Sequence, residues 1–142
     1  MALPKINTPT YELELPSTGE KIKYRPFLVK EQKVLMMAQD SDNLRDISNT
    51  VGTLVSNCTF EKIDPQKSPM FDIEYIFLKL RAKSVGETSE IQVTCPDDGE
   101  TKVPVKINLD EINVQMTAGH SNIVELSKDM KLFLRYPLLN DM

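Results

Sequence analysis

The chain has 142 residues, 40% of them hydrophobic and 27% charged, with a net charge of −4. This is the make-up of an ordinary soluble globular protein with enough chain to bury a core. Mixed acids and bases argue against a mainly nucleic-acid-binding surface, which needs clustered excess Lys and Arg, and no run nears the ~18 apolar residues of a membrane span.

Met1-Ala2-Leu3-Pro4-Lys5 has no continuous apolar stretch of the signal-peptide kind. Residues 1–9 contain Pro4 and Pro9 and little periodicity, which predicts an extended arm. Leu13 and Leu15 then alternate with Glu12 and Glu14, the period-two pattern of a half-buried strand. Pro16-Ser17-Thr18-Gly19 supplies turn chemistry. Lys21, Lys23 and Arg25 alternate with Ile22 and Tyr24 as a second strand, which Pro26 ends by removing a ladder donor.

Helical spacing follows over Leu28–Gln39. Asp40-Ser41-Asp42 breaks it and offers cap oxygens to a second helix. In that helix Leu44, Ile47, Val51, Leu54, Val55 and Cys58 form one stripe. Gly52 lies inside it at a cost of ~1 kcal/mol against Ala, which a close approach of another helix or strand would explain. Ser68-Pro69 reads as a cap followed by Pro in the first turn, opening a third helix over Pro69–Lys83. Met70, Ile73, Phe77 and Leu80 make one stripe of it; Phe71, Tyr75, Leu78 and Ala82 make another.

From Glu87 the period returns to two. Ile91, Val93 and Cys95 precede the Pro96–Gly99 turn; Val103, Val105, Ile107 and Leu109 follow it, giving a hairpin with one apolar face. Asn113–Gly119 is ambiguous. A last hairpin sets Asn122–Leu126 against Met130–Tyr136. The whole reads as a single α+β domain over residues 1–142: an N-terminal β-hairpin, a three-helix segment and C-terminal antiparallel β-hairpins.

The stretch LPSTGEKIKYRPFLVKEQKVLMM, at Leu15–Gly19 and Lys23–Glu31 above all, resembles the opening of the baseplate hub assembly proteins of T-even-type contractile-tailed bacteriophages. The resemblance is weaker over Asp42–Leu109. It implies no enzymatic activity and a role in assembling the hub of the tail baseplate by protein contacts. Partners would be other baseplate hub or tail proteins, in the infected host cytoplasm, with retention in the virion tail baseplate as the structural alternative. Relatives run on past Met142, which implies either a shortened relative or a tail, 137–142, that packs on a partner.

No catalytic constellation stands out. His120 is the one histidine and sits in a Gly-His-Ser loop. Cys95-Pro96-Asp97-Asp98-Gly99 has the outline of half a zinc knuckle, but a knuckle needs a second Cys where Asp98 stands. No cofactor, metal or catalytic residue is therefore expected. Cys58 and Cys95 do not make a disulfide framework and fit a reducing compartment. The alternation of Lys23-Tyr24-Arg25-Pro26-Phe27 leaves a nucleic-acid-binding module as an alternative of another class, to be told apart by salt-dependent DNA affinity. An assembly factor without an active site acts through its surface, and contact anchors are typically aromatic or Arg. Tyr24, Arg25 and Phe27, with Leu138 and Leu139 of the tail, are the candidate partner-binding residues. Packing of Tyr24 on the first helix is the competing reading.

Overall fold

Alternation at the start of the chain folds as a hairpin. In the computed structural model, which describes residues 7–41 and 43–141, β1 (Tyr11–Glu14) pairs antiparallel with β2 (Lys21–Tyr24), Leu13 opposite Ile22 and Glu12 opposite Lys23. Leu13, Ile22 and Tyr24 turn inward with Leu15. Glu12 and Lys23 face water as an ion pair 3.8 Å long, which contributes little, so burial of the apolar face fixes the register. Gly19 closes the turn with φ +71°, donating its N–H to the Leu15 carbonyl at 2.8 Å; a Cβ would strain that conformation. Of the expected arm, residues 1–6 lie outside the described residues and 7–9 have no regular structure.

Three helices follow: α1 (Val29–Gln39), α2 (Leu44–Cys58) and α3 (Met70–Ser84). Their caps differ from expectation. Glu31 caps α1 from within by accepting the Leu28 N–H at 2.6 Å. Asn43 caps α2, its side chain accepting the Arg45 N–H at 3.0 Å; of the three residues expected to cap it, Asp42 lies outside the described residues. Pro69 is extended and stands at the cap position of α3, while the Ser68 hydroxyl donates to the Asp64 carbonyl at 2.9 Å. The first free amide of α3, Met70 N–H, is satisfied by the Pro137 carbonyl at 2.9 Å.

The core lies where the inner face of β1–β2 meets α2 and α3. Leu54, Val55 and Cys58 come from α2, and Ile73, Ile76 and Leu80 from α3. The two stripes expected on α3 are real but unequal: Ile73, Leu80 and Ala82 are buried, and Met70, Phe71, Tyr75, Phe77 and Leu78 are half-buried. Leu44, expected on the buried stripe of α2, is 74% exposed because the stripe runs past the surface that covers it. Gly52 is explained by a close approach, made by a short 3-10 helix in the tail, Leu139–Asp141, and by the linker at Pro65. A Cβ there would lie 3.0 Å from both Leu139 Cδ2 and Pro65 Cβ. Gly52→Val is accordingly expected to cost about 1–3 kcal/mol by overpacking, read as a lower denaturation midpoint together with faster proteolysis near residue 138.

Beyond α3 the chain forms two more hairpins, β3 (Thr88–Thr94) with β4 (Lys102–Asn108) and β5 (Ile123–Ser127) with β6 (Met130–Phe133), the latter bulged between Glu125 and Ser127. The three hairpins are separate two-stranded sheets. The fold is α+β in the expected order; residues 113–119 join neither helix nor strand. The root of β3–β4 is anchored firmly. Lys79 Nζ, on α3, donates to the carbonyls of Leu109, Asp110 and Ile112 at 3.3, 2.7 and 3.1 Å. Lys83 meets Asp110 at 2.8 Å and Glu87 at 2.5 Å.

Candidate interaction surface

The five residues singled out in the sequence do not form one contact surface. Tyr24 is 3% exposed and Leu139 7% exposed. Both are interior residues of this chain, so the expectation that they face a partner is corrected for these two. The Tyr24 ring lies in the core between hairpin and helices, 5.6 Å from that of Tyr11. Leu139 fills the space over Gly52. Leu138 is half-buried and bridges to Pro69. Phe27 is half-buried against the core, its N–H donating to the Ser84 hydroxyl at 3.0 Å.

Arg25 is a clamp. Its backbone N–H donates to the Cys58 carbonyl at 2.9 Å, tying β2 to the end of α2. Its guanidinium forks onto Glu31, NH1 to Oε2 at 3.0 Å and NH2 to Oε1 at 2.7 Å. Both side chains are largely out of water, at 15% and 9% exposure. The hydrogen bonds from Arg25 hold the Glu31 carboxyl below the usual carboxylate range against the opposing effect of burial. Local pattern does not mark Arg25 as a clamp, because its partner Glu31 lies across a chain reversal, at the start of α1.

Cys58 Sγ lies 4.0 Å from Glu31 Oε2. Burial first, then the Glu31 charge, pushes its thiol up to about 11. At pH 8 only ~1 in 1,000 such thiols is ionised, and Cys58 is 0% exposed. A thiol reagent is expected to label Cys95 in the folded protein and Cys58 only on unfolding; mass spectrometry after limited labelling checks this.

The exposed apolar surface lies elsewhere. On α1, Val29, Val34, Met36 and Met37 are 70%, 55%, 57% and 73% exposed. Beside them a groove of about 370 Å³ runs between α1 and α2, with Lys30, Val34, Thr53, Leu54 and Asn57 among its lining residues. Phe60 stands near its end, 52% exposed, where Phe60 and Glu61 reverse the chain at φ 57° and 60° without glycine. No periodicity marks a lone aromatic in a reversal. The C-terminal hairpins expose more: Ile91 and Val105, Val93 and Val103 stand opposite one another in two cross-strand pairs on one face of β3–β4, each 40–47% exposed.

Groups with chemistry are dispersed. Among the described residues no three of His, Cys, Asp and Glu come together as metal ligands. Asp98, where a zinc knuckle needs its second Cys, instead holds its own turn, accepting the N–H groups of Glu100 and Thr101 at 3.0 Å each and the Thr101 hydroxyl. His120 stacks on Tyr136, ring centroids 5.7 Å apart.

A surface of apolar patches, with no metal-ligating cluster among the described residues, suits a component of a protein assembly. The family model described as T4 bacteriophage base plate protein matches residues 8–142. The chain belongs to this family. No curated protein and no solved structure matches it. Among the described residues of this baseplate protein no helix is long and apolar enough to cross a membrane.

The structure gives the baseplate protein's Leu15–Gly19 segment a physical role. Ser17 donates both its backbone N–H, at 3.1 Å, and its hydroxyl to the Asp72 carboxylate. Asp72 lies in the first turn of α3 and is 2% exposed. The turn of the first hairpin is thereby fastened to the N-terminus of α3, where a carboxylate also meets the helix dipole favourably.

Proposed function

We propose that this baseplate protein is an assembly factor for the baseplate hub, binding other hub or tail proteins stoichiometrically in the infected host cytoplasm, in the manner of a chaperone. The observation that carries this reading is the outer face of α1 with the groove beside it. Val29, Val34, Met36 and Met37 are all more than half exposed, and an apolar groove of about 370 Å³ adjoins them. Exposed apolar area of this kind marks a contact site. Methionines suit a surface that meets partners in more than one arrangement. Phe27, at the foot of α1, belongs to the same proposal.

The second reading is a structural subunit retained in the virion. The apolar faces of the C-terminal hairpins favour it, because surface that large calls for permanent cover. Quantitative mass spectrometry of purified virions separates the two. Absence of the chain from finished tails supports the assembly factor; a fixed copy number per baseplate supports the structural subunit. Met37→Lys is expected to unfold at the wild-type midpoint yet lower partner affinity by roughly tenfold or more, the effect of losing one good contact anchor. Pull-down from infected cells with the variant as bait checks it, and wild-type recovery of hub proteins would remove α1 from the contact surface.

A further inference from the structure

Two walls of different character flank the groove beside α1. On α1, Lys30, Val34 and Met37 follow one another at i, i+4 and i+7 and so share a face. On α2, Asp46, Thr50, Thr53 and Asn57 recur at i, i+4, i+7 and i+11. Thr50, Thr53 and Asn57 line the groove, with Leu54 at its base, so Asp46 continues that wall beyond them. A more polar recess of about 330 Å³ carries the groove on past Lys30 and Asn57 to Phe60 and Glu61.

The two ends of this trough differ in charge. Lys30 and Lys33 lie on the first half of α1, toward Phe60, and among the described residues neither makes an ion pair. Arg25 and Glu31 cancel each other there at 2.7 Å, and Glu61 is followed by Lys62. The far end is acidic, with Asp46 in the first turn of α2 and Asp40 closing α1. Between the ends the lining is apolar or neutral, with Val34, Leu54, Thr50 and Thr53.

We propose that this trough receives a short amphipathic helix of a partner protein, an occupant that rests on the reading of α1 as the contact surface for a hub or tail component. Its apolar stripe lies on Val34, Met37 and Leu54, an acidic residue meets Lys30 and Lys33, and a basic residue meets Asp46. Asn49 and Asn57, both lining the groove, stand eight residues apart on α2, about 12 Å, which accommodates roughly two turns of helix. A helix suits the site better than an extended segment. Both walls are helices whose backbone groups are already paired, so no sheet edge is on offer. An extended chain would leave its own N–H and C=O groups unpaired against the apolar wall, and the Thr53 hydroxyl is already spent on the Asn49 carbonyl at 2.9 Å. A third helix laid here covers Val34 and Met37, now 55% and 73% exposed.

The full chain is given the photo-cross-linker benzoylphenylalanine in place of Thr53, an exposed position on the α2 wall, and is expressed in infected cells. The attached segment is sequenced by mass spectrometry, synthesised as a peptide and titrated against the wild-type chain. The expected segment belongs to a hub or tail protein, has apolar residues at i, i+3 or i+4, and i+7, and carries acids at one end and bases at the other. The peptide should gain helical circular dichroism on binding and bind more weakly as salt rises. Lys30→Glu and Lys33→Glu should each raise its dissociation constant by roughly tenfold or more, since like charges then face each other. Lys102→Glu, an equal change in net charge on β4, should leave it unchanged. Lys33 makes no bond to the Arg25–Glu31 clamp, so Lys33→Glu should keep the wild-type urea midpoint and decides the matter even where Lys30→Glu loosens that clamp. A segment that binds without becoming helical, a dissociation constant indifferent to Lys33→Glu, or a cross-link to a second copy of this chain would each overturn the proposal. Hub or tail proteins recovered with the chain but never cross-linked at Thr53 would overturn it and leave the assembly role standing. Recovery of no hub or tail protein would remove both.

Discussion

Arg25→Ala is expected to destabilise the protein by about 3–5 kcal/mol, the cost of leaving a buried carboxylate without its partner. The variant strips Glu31 of two hydrogen bonds, at 2.7 and 3.0 Å, and leaves it the Leu28 N–H at 2.6 Å and the weak Cys58 thiol donor at 4.0 Å. Glu31 lies 8% exposed where β2, α1 and α2 converge, so the loss is felt by all three. The pH dependence identifies the cause. In the wild type the Glu31 pKa is lowered from 4.5. Its contribution is therefore complete above that value and lost as pH falls through the lower folded one. In the variant, burial dominates and raises the pKa, so the penalty is largest at neutral pH and shrinks as the carboxyl takes up a proton. Urea denaturation at a series of pH values shows whether the gap between the two proteins narrows on acidification. The paired change Arg25→Met with Glu31→Leu should recover much of the stability. An unchanged midpoint for Arg25→Ala at neutral pH would mean that the clamp carries no weight.

Leu54→Ala is expected to cost about 2–5 kcal/mol, as other buried Leu deletions do, with the spread set by how far the cavity collapses. Leu54 is 4% exposed and packs among Val55, Ile73 and Leu80. Val51, one turn earlier, is only half-buried, and Val51→Ala should cost clearly less. Chemical denaturation of both variants checks the order. Equal midpoints would place the seam between α2 and α3 elsewhere.

Local periodicity made much of this fold legible. Leu13, Leu15, Ile22 and Tyr24 are enough to define the first hairpin and its inner face, because strand geometry sends alternate side chains to opposite sides. The stripe from Val51 to Cys58 defined α2 in the same way. What periodicity does not carry is what covers a face. Ile91 and Val93 alternate as well as Leu13 and Leu15 do, yet they stand 42% and 45% exposed while the earlier pair is buried. Two of the candidate contact residues show the same limit: Tyr24 and Leu139 fit by residue type, and only the tertiary arrangement shows both turned inward. Arg25 needed the chain reversal at Pro26 to meet Glu31, and Ser17 needed α3 to meet Asp72, a pairing 55 residues apart. The baseplate family, by contrast, was legible in one contiguous stretch, because its signal is the order of residues and not their packing.

The tail that lies over Gly52 also bears on the order of folding events. Leu139 and Pro137 join α2 and the start of α3 from far along the chain. The core itself is assembled from residues 13–80 and does not require them. Closing a long loop carries an entropy cost before any contact rewards it, so this clasp is expected to engage after the rate-limiting step. Interactions absent from the transition state slow unfolding without hastening refolding. The tail is therefore expected to set how long the folded molecule lasts rather than how fast it forms. In stopped-flow experiments a Leu139→Ala chain should refold at the native rate and come apart sooner.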